Sequence, residues 1–235
     1  MSEAVAFLPG LMCDTRLFAA QAEALGRERA VIQAPLRGDR IEEIASTLLD
    51  ALPRRVALVG HGMGGNVALE IVRRAPDRVA RLCLMDTQPL AETPARAAER
   101  ELLIARVRAG RLDEVMREEL RAELFAPGPD RLHLQGAARE MARAMGAERF
   151  VQQSRAMMRR RDQQGELRRI KCPTLVMCGA RDPLFPPKRH EFMAGLIDGA
   201  RLEVIEDAGH MPSLERPEAV TDLLRDWLGL PLVLR

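Results

Sequence analysis

Short apolar runs alternate with longer segments of helical spacing along most of the chain. Because runs such as Val56-Ala57-Leu58-Val59 do not alternate in polarity, the sheet they form should be buried on both faces. The pattern predicts a doubly wound, mostly parallel α/β sheet of about six strands. The predicted strands are Val5–Leu8, Ala30–Ala34, Arg55–Val59, Val79–Met85, Thr174–Met177 and Arg201–Ile205. The predicted helices of this sheet are Arg16–Leu25, Ile41–Leu52, Met63–Arg74, Pro187–Leu196 and Pro217–Leu228.

One long segment, Gln88–Leu167, interrupts this rhythm. Its apolar residues keep a helical spacing, and none of its runs is typical of a strand. Glycine and proline divide it into about four helices, at Gly110, Pro127-Gly128-Pro129, Gly146 and Gly165. We therefore expect a core made of residues 1–87 and 168–235, with residues 88–167 inserted as a helical unit that packs on it.

Composition narrows the classes of partner. The chain has 235 residues, a formal net charge of +2, and 47% hydrophobic and 30% charged residues, which gives no electrostatic case for binding nucleic acid. No apolar stretch approaches the roughly 18 residues of a membrane span. The four cysteines lack C-x-x-C spacing, and the amino terminus lacks a basic-then-apolar run, so we expect a reduced, cytoplasmic setting. The expected partner is a small molecule, and no cofactor or metal is implied.

The most informative segment joins the third predicted strand to its helix through a turn rich in glycine. The stretch Gly60-His61-Gly62-Met63-Gly64 has the small flanking residues of a nucleophile elbow, the G-x-S-x-G turn that presents a catalytic serine. The central residue is Gly62, which has no side chain with which to attack. A phosphate-binding turn is disfavoured because no G-K-S/T follows.

Three segments together resemble bacterial α/β-hydrolases of the esterase and enol-lactonase kind, whose elbow typically reads G-H-S-M-G-G. They are Gly60-His61-Gly62-Met63-Gly64-Gly65, the stretch from Val176 to Pro183, and the stretch from Ala208 to Pro217. The resemblance runs almost end to end and implies a shortened α/β-hydrolase fold. It places Gly62 at the nucleophile position, Asp182 as the acid and His210 as the base, in the chain order that this fold uses.

The resemblance also implies an oxyanion hole and a lid. One backbone N–H should come from Met63, directly after the elbow centre, and the other from Leu11, at the exit of the first strand. The insertion, residues 88–167, becomes a lid over the site, and its methionines suit an adaptable apolar pocket.

Other candidate groups have structural interpretations. His61 flanks the elbow, and His133 and His190 are predicted on the surface. Cys83 and Cys178 lie in apolar strands and are predicted core residues, whereas Cys13 lies near the site without an activating neighbour. The run Arg159-Arg160-Arg161 predicts a solvated face, although an arginine of the lid could contact a substrate carboxylate.

Gly62 leaves three hypotheses open. The chain could be a serine hydrolase for a small carboxylic ester or lactone whose nucleophile has been replaced, so that no acyl-enzyme forms. It could instead be a nucleophile-free enzyme in which His210 and Asp182 act as a general base in a hydrolase, lyase or cofactor-free oxygenase reaction. It could also be a non-catalytic ligand-binding protein on a hydrolase scaffold. The intact Asp182 and His210 favour the two enzymatic hypotheses.

Overall fold

A computed structural model describes residues 3–230 of the chain. Its six strands form one parallel sheet in the order β2-β1-β3-β4-β5-β6. The strands are β1 (Ala4–Leu8), β2 (Val31–Gln33), β3 (Val56–His61), β4 (Val79–Met85), β5 (Thr174–Gly179) and β6 (Arg201–Ile205). The predicted doubly wound parallel sheet of six strands is confirmed.

Helices connect and cover the strands. They are α1 (Ala19–Gly26), α2 (Ile41–Ala51), α3 (Met63–Arg74), α4 (Pro94–Arg108), α5 (Leu112–Glu119), α6 (Arg131–Arg159), α7 (Gln164–Leu167), α8 (Pro187–Leu196), α9 (Pro212–Glu215) and α10 (Pro217–Gly229). The predicted start of the first helix was wrong, since Thr15–Phe18 forms a 3₁₀ turn capped by the Asp14 side chain before α1 begins.

The sheet is buried on both faces, as its unbroken apolar strands predict. Alternate residues of β3 point to opposite sides: Ala57 and Val59 belong to one core cluster, and Leu58 belongs to the other. The first cluster is completed by α1, α10 and apolar residues of α4 to α6. The second is completed by α2, α3 and α8. Burial of both faces follows from this layered arrangement.

The segment between β4 and β5 is helical and contains α4 to α7. Gly110 has φ 82° and lies between α4 and α5, and Gly146, with φ 81°, bends α6 within its length. These two glycines therefore interrupt helices as predicted. Gly165 does not, because it lies inside the short helix α7. That residues 88–167 act as a separate lid stays a prediction.

The strand order places a crevice at a defined point of the sheet. From β1 the chain passes to β2 on one side, and β3 then pairs with β1 on the other side. In open parallel sheets, ligands bind at the carboxyl ends of the strands where the order reverses in this way. Across residues 3–230, none of the helices is long and apolar enough to cross a membrane.

Candidate active site

The elbow lies at the carboxyl end of β3, where the strand turns directly into α3. Gly62 has φ 52° and ψ −115°, a backbone conformation that residues other than glycine rarely adopt. Its N–H donates to the carbonyl of Met85 at 3.0 Å, and its carbonyl accepts from the N–H of Gly65 at 3.0 Å and the hydroxyl of Thr87 at 2.7 Å. The turn is thus held on both sides by the main chain and by the segment at the end of β4.

The flanking glycines are required by close approach of the backbone. A Cβ at Gly60 would lie 2.6 Å from the carbonyl oxygen of Gly64, and one at Gly64 would lie 1.9 Å from that of Leu8. Gly62 is different, because its nearest neighbours for a Cβ are Gly10 Cα at 3.7 Å and the Asp86 carbonyl oxygen at 3.9 Å. These are ordinary contact distances, so a serine side chain has room at position 62.

The structure brings the predicted acid and base together. Nδ1 of His210 lies 2.9 Å from Oδ2 of Asp182, and Oδ1 of Asp182 accepts from the N–H of Leu184 at 2.7 Å. Burial alone would raise the pKa of Asp182. The charge and hydrogen bond of His210, and the N–H groups of Leu184 and Phe185, outweigh burial and hold that pKa well below its ordinary value. Asp182 is therefore a carboxylate that holds His210 through Nδ1. The other ring nitrogen, Nε2, is not bonded to Asp182.

The loop that carries His210 is held by a residue that the sequence analysis missed. The buried carboxylate of Glu215 accepts N–H groups from Gly209 at 2.9 Å, Met211 at 3.0 Å and Ala126 at 2.7 Å. The N–H of His210 itself donates to the carbonyl of Leu124 at 2.6 Å. A single glutamate at the end of the short helix α9 carries no periodic signal, and its role becomes visible only when these N–H groups converge.

Asp86, at the carboxyl end of β4, was also missed. It is fully buried with φ 41°, and its Oδ1 accepts the N–H of Gly179 at 3.0 Å. Burial, followed by the negative charge of Asp182, raises its pKa well above the ordinary value. Asp86, Asp182 and His210 bring ligand atoms within 4.8 Å of one another. Since His210 Nδ1 is already bonded to Asp182, this group suits an acid–base pair better than a metal ion.

The two residues predicted to supply the oxyanion donors, Leu11 and Met63, line one cavity together with His210. Met63 begins α3, where N–H groups of the first turn have no acceptor within the helix. Leu11 lies on the segment after β1, and both residues line the cavity beside His210. The next residue, Met12, has φ 56° and donates its N–H to Oε1 of Gln153 at 2.8 Å. Gln153, on α6, therefore fixes this segment, a contact that spans 141 positions and has no local sequence signal.

The cavity above the elbow has a volume of about 110 Å³. Core residues on its wall include Gly62, His210 and Phe185, and the centroid of the Phe185 ring lies 5.6 Å from that of the His210 ring. The helical segment between β4 and β5 contributes apolar lining from Met116, Leu120, Leu124 and Met157, and charged lining from Arg96, Arg100 and Glu119. The cavity is thus lined by residues at the carboxyl ends of the strands and by residues of the segment between β4 and β5.

The other histidines differ in burial. His61 is buried, donates from Nε2 to the His210 carbonyl at 2.7 Å, and has its pKa lowered to about 3 by burial. His133 is exposed, as predicted. The surface prediction for His190 was wrong, because that side chain is fully buried, accepts the Thr87 N–H at 3.3 Å, and has its pKa lowered to about 4 by burial. Polar residues on core-facing helix positions escape an apolar-pattern analysis.

Three cysteines and Arg160 are buried. Cys83 and Cys178 are buried in strands, as predicted. Burial, then the charge of Asp14, raises the pKa of Cys13 to about 12, so its thiol is not an activated nucleophile. The solvated face predicted for residues 159–161 was wrong for Arg160, which is buried and forms an ion pair with Glu92 at 3.0 Å.

Comparison with known proteins decides the family. The sequence model of the alpha/beta hydrolase family matches residues 8–223. The chain belongs to that family. This hydrolase is 28% identical over 202 residues to a pimeloyl-[acyl-carrier protein] methyl ester esterase of Methylococcus capsulatus, covering 83% of the chain and 80% of the relative. It is 31% identical over 209 residues to the protein of that name from Aromatoleum aromaticum, covering 82% and 81%.

Solved structures agree with the fold and the class of enzyme. A thermophilic esterase from Thermogutta terrifontis superposes on this hydrolase with a TM-score of 0.88 and 28% identity, over 97% of this chain and 90% of the esterase. The enol-lactonase from Burkholderia xenovorans LB400 has a TM-score of 0.84 over 98% and 92% of the two chains, and at 24% identity it supports the fold. The similarity to these esterases supports ester hydrolysis as the class of reaction.

Proposed function

We propose that this site is built to hydrolyse a small carboxylic ester or lactone through an acyl-enzyme, and that Gly62 disables the step in which that intermediate forms. The observation that carries the proposal is the His210–Asp182 pair, joined at 2.9 Å, on the cavity that also holds the elbow at Gly62. The esterase relatives give the reaction class.

With a hydroxyl at position 62, His210 would act as the general base. Its Nε2 would take the hydroxyl proton while the oxygen attacks the ester carbonyl, and the carbonyl oxygen would become an oxyanion. Backbone N–H groups of Leu11 and Met63 would stabilise that charge. Collapse would break the ester bond, and the proton on His210 would pass to the departing alcohol. A water molecule, deprotonated by His210, would then attack the acyl carbonyl, and the proton would return from His210 to the oxygen of residue 62 as the acid leaves.

The segment between β4 and β5 supplies the substrate-facing lining in this proposal. Met116, Leu120 and Met157 are apolar and line the same cavity as His210. An apolar lining of this kind lowers the local dielectric around the reacting carbonyl and strengthens the oxyanion contacts. We include in the proposal that residues 88–167 form the lid.

A second candidate function uses His210 without a nucleophile. The space at Gly62, where a Cβ would meet its nearest neighbour at 3.7 Å, allows a water or an acidic substrate group to approach His210. The His210–Asp182 pair would then act as a general base. If this candidate holds, the unmodified chain has an activity that His210→Ala abolishes.

The experiment for the main proposal restores the hydroxyl. Gly62→Ser should raise the rate of p-nitrophenyl acetate hydrolysis over the unmodified chain by at least about 10³-fold, since a lost triad member costs this much or more. The double variant Gly62→Ser/His210→Ala is the control and should return to the unmodified rate. Hydrolysis that stays at background in Gly62→Ser, with the circular dichroism and melting of a folded protein, would refute the proposal.

A further inference from the structure

A second cavity lies, like the candidate active site, at the carboxyl ends of the strands. Its volume is about 260 Å³, compared with about 110 Å³ for the cavity at the elbow. Its walls come from the segments after β1 and β2 and from α6 on both sides of the bend at Gly146. The buried residue Cys13 lines both cavities, so the two spaces are neighbours that share this wall.

The walls of this second cavity are tied to each other. Gln153 of α6 donates from Nε2 to the carbonyl of Leu36 at 3.3 Å, on the segment that follows β2. Arg159, at the end of α6, forms an ion pair with Asp39 at 2.8 Å. These contacts join α6 to the loop on the opposite wall, which gives the cavity a defined shape.

The lining combines an apolar floor with two positive charges. Phe7 and Phe18 stack with their ring centroids 4.7 Å apart, and Met145 adds apolar surface from α6. Arg37, an exposed residue of the segment after β2, and Arg149, a half-buried residue of α6, both line the cavity. A lining of this kind suits a ligand with an aliphatic body and an anionic end.

The two arginines lack the carboxylate partners that many arginines of this chain have. Across residues 3–230, Arg37 makes no hydrogen bond or ion pair, and the side chain of Arg149 donates only to Oε1 of Gln152 at 3.0 Å. Asp14, the acid of the lining, is already bound by Arg16 at 2.6 Å. Burial, and then the positive charge of Arg37, lower the pKa of Arg149, and the opposing effect of Glu148 is smaller.

We propose that the second cavity binds the anionic end of the substrate, a carboxylate on an aliphatic chain whose ester group lies in the catalytic cavity. The inference rests on the proposed function. The carboxylate would accept hydrogen bonds from Arg37 and Arg149, whose planar guanidinium groups match its geometry. The aliphatic chain would lie on Phe7 and Phe18 and pass Cys13 towards the elbow.

Equilibrium binding to the unmodified chain tests the proposal, because Gly62 allows no acyl-enzyme. The probes are the mono- and dimethyl esters of linear dicarboxylic acids of increasing length, measured by calorimetry near neutral pH. The half ester carries the negative charge that the diester lacks. At the length that spans the two cavities it should bind about tenfold more tightly, the effect of one charge-assisted hydrogen bond.

Two double variants separate a specific site from general charge. Arg37→Gln/Arg149→Gln should abolish the preference for the half ester. Arg54→Gln/Arg55→Gln removes the same charge from two exposed residues just before β3. These residues lie at the amino ends of the strands, away from both cavities, so the variant should leave the preference intact. Equal affinities for half ester and diester at every length, or a preference that survives loss of Arg37 and Arg149, would overturn the proposal.

Turnover distinguishes failure of this proposal from failure of the proposed function. In the Gly62→Ser chain, the ratio of kcat/KM for the half ester to that for the diester should fall about tenfold on adding Arg37→Gln/Arg149→Gln. If Gly62→Ser does not hydrolyse p-nitrophenyl acetate, the proposed function fails, and the binding preference still decides whether the cavity takes a carboxylate. If it hydrolyses that ester and the ratio does not change, the substrate does not span the cavities.

Discussion

At position 62 the backbone has φ 52° and ψ −115°, and the space around the missing Cβ is open, with its nearest neighbour at 3.7 Å. A side chain placed there meets no clash, so its cost lies in the backbone conformation alone. A non-glycine residue held in such a region costs of order 1–3 kcal/mol. The backbone geometry of the elbow therefore lowers the free energy of unfolding when residue 62 has a side chain, and glycine removes most of this cost.

We predict that Gly62→Ser and Gly62→Ala each lower the free energy of unfolding by about 1–3 kcal/mol. Urea unfolding measures the change. Gly26→Ala is the matched control, because a Cβ there has no neighbour within 4 Å and the residue has no positive φ. That variant should be neutral or slightly stabilising. Equal unfolding midpoints for the unmodified chain and for both variants at position 62 would show that the elbow is not strained.

Sequence information at the residue scale was uneven. The pairing of Asp182 with His210 could be predicted because each lies in a short motif after a strand, and the fold brings the two side chains to 2.9 Å. Asp86, Gln153 and Glu215 were missed although all three are buried and hydrogen-bonded around the site. An isolated polar residue gives no periodic pattern, and its partners are distant in the chain.

At the scale of elements, α9 and the His210 loop form one unit through Glu215. Its carboxylate accepts three backbone N–H groups, from Gly209, Met211 and Ala126. A carboxylate suits this position because both oxygens accept. A glutamine would turn an NH₂ group towards at least one N–H donor, and an unsatisfied or repelled buried donor costs about 1–3 kcal/mol.

We predict that Glu215→Gln, made in the Gly62→Ser chain, lowers kcat for p-nitrophenyl acetate by about 10- to 100-fold, because a small displacement of a catalytic group has effects of this size. Glu218→Gln, the same change at an exposed position of α10, is the control and should leave kcat unaltered. Unchanged kcat in Glu215→Gln would show that the Glu215 carboxylate does not position His210.

Several elements were predicted to the residue, and irregular ones were not. The bounds of β4, β6, α3 and α8 match their predictions, although β6 contains Arg201 and Glu203 and is not a continuous apolar run. The 3₁₀ turn at Thr15–Phe18 was taken for helix because its spacing resembles one. The bend in α6 followed from Gly146, whereas Gly165 was accommodated inside α7.

Two buried histidines affect the whole molecule through their protonation. The pKa of His61 is lowered to about 3 and that of His190 to about 4, from an ordinary value of 6.5, because burial disfavours the charged ring. Both are neutral in the folded protein at pH 5, while in the unfolded chain both would be protonated. Their contribution to stability is thus fully present above pH 6.5 and is lost as the pH falls towards their folded values.

We predict that the free energy of unfolding falls on acidification from pH 6.5 towards pH 4, with about 1.4 kcal/mol per pH unit from each buried histidine. Asp86, whose pKa is raised, contributes with the opposite sign, so a variant isolates the histidine effect. Urea unfolding of His190→Gln across this range should show a smaller slope than the parent, whereas exposed His133→Gln should match it. Identical slopes for parent and His190→Gln would contradict the assignment.

In the function that we propose, the elbow, His210 and Asp182 form serine-hydrolase machinery from which only the hydroxymethyl group of residue 62 is missing. Intact-mass measurement after treatment with a fluorophosphonate, which phosphonylates activated serines, tests this proposal. We expect one adduct on Gly62→Ser at residue 62, and none at that residue on the unmodified chain or on Gly62→Ser/His210→Ala. A folded Gly62→Ser protein that takes no adduct, or takes it equally without His210, would show that His210 and Asp182 do not activate a serine at this elbow.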